Sequence, residues 1–191
     1  VVGDMGMTDL TNMVGYNYRL GEIECAIGIE QLKKLPKLVL GRQKAAEQLS
    51  GLLSGLKGIR TPIVMPNCTH SYYMFPMVLD IDILGVSRAR IIDALSAEGI
   101  TGLTAGYVNV HLLPMYQQKI AYGSNGFPWS SDICHRKVSY KKGICPIAEQ
   151  LHDSTYIGLS ACMHDMSDMD VTNIANAFIK VWAHLELLRE N

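Results

Sequence analysis

The chain has 191 residues, enough for one domain with an extension, and a chain of that size typically buries about 70% of its unfolded surface. Hydrophobic content of 48% with 18% charged residues excludes a disordered chain. The net charge of −1 argues against nucleic acid and acidic membranes as partners, and the apolar runs are far too short to span a bilayer.

The N-terminal residues show no basic segment followed by an apolar one, so a cytoplasmic protein is expected. The first residue is Val1 rather than Met, which suits a piece of a longer chain. Cys25, Cys68, Cys134, Cys145 and Cys162 are odd in number and form no CxxC pair, which favours reduced thiols. Asn67-Cys68-Thr69 fits a glycosylation sequon, read here as chance. Cys68 with His70, Cys134 with His135 and Cys162 with His164 lack zinc-finger spacing, so no metal site is expected.

Residues 1–14 have no period and read as loop. A helix is predicted from about Leu20 to Leu35, stopped near Pro36. Its apolar residues Leu20, Ile23, Ala26, Ile27, Ile29 and Leu32 cover more than one face, as in a helix buried between layers or subunits. Ala45, Leu49, Leu52, Leu53 and Leu56 then form one helical stripe, broken at Gly58 and Pro62. A strand is predicted over Tyr72 to Ile81, with Pro76 favouring an edge or a bulge. Ser87 suits an N-cap for a helix to about Glu98, with Ile91, Ile92 and Leu95 inward and Gly99 as the stop.

A short strand is expected around Ile100 to Thr104. Residues 105–150 read as loop and short helices, and Thr155 to Ser160 as a strand. Ser167 and Asp170 resemble a capping box with Asp in place of Glu. The helix they start carries Val171, Ile174, Ala175, Phe178, Trp182 and Leu185 on one face. The order of elements gives an α+β fold: long helices leading into a small, largely antiparallel sheet flanked by helices.

The run Gly15-Tyr16-Asn17-Tyr18-Arg19-Leu20-Gly21-Glu22 carries the chemistry. An Asn amide supplies two donors and an Arg fork a fixed cationic pair, both suited to a phosphate. The run resembles the GYNYR signature of the DegT/DnrJ/EryC1/StrS sugar aminotransferases, which use pyridoxal 5'-phosphate (PLP). Tyr107-Val108-Asn109-Val110-His111-Leu112-Leu113-Pro114-Met115-Tyr116 is similar to that family's Y-x-P-L-H-x-x-P-x-Y segment, with Asn109 where Pro is usual. Ser71-Tyr72-Tyr73-Met74-Phe75 is similar to the S-x-Y/H-x-F strand entry. Ala148-Glu149-Gln150-Leu151-His152 through Leu159 to the Ser167 helix follows the closing pattern, with Leu159-Ser160 for the usual Leu-Pro.

The resemblance implies the C-terminal half of a fold-type-I PLP enzyme. Residues 1–57 would belong to the large-domain and dimer-interface region with its linker helices, and 58–191 to the small domain. Asn17 would reach the PLP phosphate of the neighbouring subunit, and Arg19, Tyr107 and His111 would contact a sugar-nucleotide substrate. The alternatives are a turn residue at Asn17, an ion pair of Arg19 with Glu22 or Glu24, and simple loop packing at His111. The family places its catalytic lysine before GYNYR, and Lys33 is the first lysine here, so no catalytic residue is expected in this chain. The parent enzyme would be a homodimer or higher oligomer moving an amino group from L-glutamate to a keto-sugar nucleotide. A PLP-dependent sugar dehydratase and a non-catalytic dimerisation module are the rival readings.

Overall fold

The computed structural model describes residues 18–106, 108–120, 122, 125–132, 134–160 and 164–189. The chain divides into two compact units, Val1–Pro36 and Lys37–Asn191. Helix α1 runs from Glu22 to Leu53. Glu22 and Glu24 lie in its first turn, where carboxylates complement the positive end of the helix dipole.

Pro36 does not stop the helix; it lies inside α1, and this corrects the expected break. An interior proline costs about 3 kcal/mol or more, through a lost hydrogen bond and a clash with the preceding turn. The residues that follow offset this cost, because Ala45, Ala46, Leu49 and Leu53 are all buried. Tertiary packing outweighs one local breaker. The buried stripe also differs slightly from expectation, for Ala46 is buried and Leu52 is 41% exposed.

Within the second unit, four short strands form one sheet in the order β1-β2-β4-β3, each neighbouring pair antiparallel. They are β1 (Ile59–Arg60), β2 (Phe75–Leu79), β3 (Leu103–Thr104) and β4 (Tyr156–Leu159). In β2, Phe75, Met77 and Leu79 are buried and alternate with half-buried Pro76 and Val78, the period of a strand with one face on a core. Topologically β2 is an interior strand, whereas Pro76 favours an edge or a bulge. Yet β1 pairs only with Val78 and Leu79, so at Pro76 the strand has a neighbour on one side, β4. That is where a residue without an N–H is tolerated.

Helix α2 (Ile81–Leu84) is capped by Asp80, and α3 (Arg88–Ala97) by Ser87, whose hydroxyl accepts from the Arg90 amide. Ile91 and Leu95 are fully buried and Ile92 is half-buried. Helices α4 (Pro114–Gln118) and α5 (Pro146–Gln150) are one-turn pieces inside the long loop region. Helix α6 (Asp168–Ala183) opens with the complete capping box of Ser167 and Asp170. It buries Val171, Ala175, Ala177, Phe178 and Val181 and packs on α3, which also touches β4. The core therefore joins the C-terminal part of α1, the sheet, α3 and α6. No helix among the described residues is long and apolar enough to cross a membrane.

Candidate functional site

The loop region between β3 and β4 brings one of the sequence-predicted site residues into a built environment. A 3-10 turn at Val110–Leu112 carries His111, and Pro114 opens α4 immediately after it. Proline is suited to that first helical position, since its missing N–H has no helical partner there. Gln117 on α4 donates to the carbonyls of His111 at 2.7 Å and Tyr140 at 2.6 Å. Trp129 donates to the Tyr140 hydroxyl at 3.0 Å, and Tyr116 lies 5.2 Å from the Tyr140 ring. These contacts tie residues 111–117 to Trp129 and Tyr140 without regular strand pairing.

Opposite His111 stands Glu149, on α5. The carboxylate is almost fully buried, at 5% exposure, and accepts from three directions. His111 Nε2 lies 2.9 Å away, the Gly143 amide 2.8 and 2.7 Å from the two oxygens, and the Cys145 amide 3.3 Å away. Gly143 has φ +100°, a conformation in which glycine is favoured. Burial pushes the Glu149 carboxyl up, but the donors from His111, Gly143 and Cys145 outweigh it and hold the group below the usual carboxylate range. Buried among donors, Glu149 is held as a carboxylate. No sequence motif announces this residue: its bond to His111 joins positions 38 apart, and only its place in the closing pattern drew notice to it.

Helix α5 passes directly into a π-helical turn, Leu151–Thr155. The Arg88 guanidinium spans its carbonyls, donating to Leu151 at 3.2 Å, His152 at 2.8 Å, Asp153 at 3.1 Å and Tyr156 at 3.3 Å. Burial lowers the Arg88 pKa and nearby Asp153 opposes that shift; the planar fork suits several oxygens at once. Asp153 also pairs with Lys142 at 2.6 Å, and that bond holds its carboxyl low. Gly106, at φ +115°, lies against the same turn: a Cβ there would stand 3.2 Å from His152 Nδ1. Gly106 thus lies against His152, and His111 is bonded to Glu149. Two buried polar atoms in this neighbourhood, Asn109 Nδ2 and His152 Nδ1, have no hydrogen-bond partner among the described residues.

The other sequence-predicted residues fare differently. Asn17 and Tyr107 lie outside the described residues. Arg19 is exposed just before α1, and no ion pair joins it to Glu22 or Glu24 among the described residues. A PLP-holding site needs a lysine shielded from water, so that its amine is available as a nucleophile. Every lysine of this chain is exposed. Several are ion-paired: Lys33 with Glu30, Lys44 with Asp168 at 2.8 Å, Lys142 with Asp153, and Lys180 with Glu98 at 2.7 Å. The described residues therefore do not by themselves fit a complete PLP site. No group of three or more His, Cys, Asp or Glu placed to hold a metal ion occurs among them.

The fold is shared with solved aminotransferases. The aminotransferase TlmJ from Streptoalloteichus hindustanus superposes with a TM-score of 0.62 at 24% identity, covering 92% of this chain and 40% of that one. This likeness is one of fold: an α+β arrangement shared with part of a longer solved chain. The model of the DegT/DnrJ/EryC1/StrS aminotransferase family matches residues 3–177, and the chain belongs to that family.

Three curated relatives are similar along much of the chain. Uncharacterized protein MJ1066 of Methanocaldococcus jannaschii is 27% identical, over 87% of this chain and 38% of its own length. Spore coat polysaccharide biosynthesis protein SpsC of Bacillus subtilis is 27% identical, over 65% of this chain and 32% of its own. The dTDP-4-dehydro-2,6-dideoxy-D-glucose 3-dehydratase of Saccharopolyspora spinosa is 29% identical, over 73% of this chain and 30% of its own. The chain spans between three and four tenths of the length of these relatives.

Proposed function

We propose that this chain is the C-terminal portion of a PLP-dependent aminotransferase acting on a keto-sugar nucleotide, with L-glutamate as amino donor. The observation that carries the reading is the family match over residues 3–177, with the Asn17 and Arg19 run at its start. PLP, when bound, supplies the electron sink for amino transfer. Asn17 would donate to its phosphate across a subunit boundary, and Arg19, Tyr107 and His111 would contact the substrate. Residues 1–57 would then serve the large domain and the dimer contact, and 58–191 the small domain. Supporting the dimer contact, Leu20, Ile23, Ile27, Ile29 and Leu32 are all exposed in the single chain, and exposed apolar surface favours association. A concentration-independent monomer mass in light scattering would argue against that contact.

The Schiff-base lysine is assigned to the part of the parent enzyme before the GYNYR run, where the family resemblance puts it; the exposure of every lysine here in the single chain supports that assignment. The isolated chain would then transfer no amino group. Incubating it with L-glutamate, PLP and a keto-sugar nucleotide, and following 2-oxoglutarate, tests this; turnover would refute it. The S. spinosa relative favours a second reading, a sugar dehydratase of the same family. The chemistry at the lysine position separates the two, so a dehydrated rather than aminated sugar from the full-length enzyme selects the dehydratase.

A further inference from the structure

We infer that Glu149 is a positioning residue that fixes His111 as its Nε2–H tautomer, so that the ring offers Nδ1 to a ligand as a hydrogen-bond acceptor. The inference deepens the substrate-binding role proposed for His111 and rests on that reading for its ligand.

The argument begins with the chemistry of the pair. An ionised carboxylate only accepts hydrogen bonds. The Glu149 oxygen facing His111 Nε2 at 2.9 Å already receives the Gly143 and Cys145 amides. Nothing there can donate to the imidazole, so Nε2 carries the proton. In a neutral ring the second nitrogen is then a lone-pair acceptor. The depressed carboxyl of Glu149 agrees with this arrangement.

The carboxylate is itself held. Gly143 contacts both of its oxygens, Cys145 contacts one, and Glu149 sits on α5 between Pro146 and the π turn that Arg88 clamps. Gln117 fixes the His111 carbonyl from the other side. The carboxylate and the His111 backbone are thus held independently of the ring, and the bond to Glu149 orients the ring between them. An acceptor at Nδ1 suits a hydroxyl of a sugar or ribose. A neutral ring in this tautomer has no donor left for a phosphate oxygen. In its neutral form His111 can therefore accept from a hydroxyl group at Nδ1.

The test is nitrogen-15 imidazole spectroscopy of the 191-residue chain in mildly alkaline solution, above the ordinary imidazole range of about 6.5. The assigned His111 ring is expected to show one tautomer, with a protonated Nε2 whose proton exchanges slowly with water and an unprotonated Nδ1. Glu149→Ala is expected to lose the slow Nε2 proton and to shift both nitrogens toward mixed-tautomer values. Glu149→Gln keeps an oxygen acceptor and is expected to retain the wild-type pattern. A proton on Nδ1 in the wild-type chain would overturn the inference without any variant. So would a wild-type His111 spectrum in a folded Glu149→Ala chain. Neither result depends on turnover, so the inference and the proposed enzyme function fail separately.

Discussion

The two ends of α1 are both apolar, and the structure treats them in opposite ways. Before Pro36, Ile23, Ile27, Ile29 and Leu32 are exposed; after it, Ala45, Ala46, Leu49 and Leu53 are buried. The difference lies in spacing rather than hydrophobicity. The later residues share one helical face and meet the sheet core, whereas the earlier ones spread around the helix. A helix that is apolar on several sides is suited to burial among several neighbours. Stability of the single chain should therefore depend on the second half, and association on the first.

The largest effect is expected in the core that the second half joins. Phe178→Ala, at a fully buried position, should cost about 3–5 kcal/mol by urea denaturation. A second test uses acid. Glu149, Asp153 and Asp170 all have carboxyls held below the ordinary range. The unfolded chain thus binds their protons more readily than the folded one. Their stabilisation is fully present above the ordinary carboxylate range and is lost as pH falls through the lowered folded values. The urea midpoint should fall on acidification, less steeply in Glu149→Gln.

Smaller effects sharpen the contrast. Ser167→Ala removes the hydroxyl that accepts from the Asp170 amide at 3.2 Å and should cost about 1 kcal/mol. Asn109→Pro should stabilise by about 0.4–1 kcal/mol, because Asn109 already has φ −67°. It also removes the unpartnered buried Nδ2. The smallest change is expected at Ile23→Ser, on an exposed face. It should shift stability by less than about 0.5 kcal/mol while reducing self-association in sedimentation. Loss of stability as large as that of Phe178→Ala would erase the distinction between the two ends of the helix.

What could be read from the residues follows the reach of the forces involved. The Ser87 and Ser167 caps, and the inward Ile91, Leu95, Val171 and Phe178, depend on neighbours within a turn or two, and sequence spacing reveals them. The helix through Pro36 was not legible, because its continuation depends on side chains buried nine or more residues later. Pro76 was half legible: the sequence shows a residue unable to donate, but the shortness of β1 decides where that is tolerated. Glu149 was hidden because its partners His111, Gly143 and Cys145 converge through loop geometry and a π turn with no periodic signal. The family run from Gly15 to Glu22 was plain in the sequence, although Asn17 lies outside the described residues.

The central claim is that this chain completes a PLP site whose lysine lies elsewhere. Incubation with PLP, reduction with borohydride and peptide mapping by mass spectrometry tests it most directly. The account predicts only scattered trace labelling of exposed lysines. A stoichiometric pyridoxyl adduct at a single lysine would contradict it, because a Schiff-base site would then exist within these 191 residues.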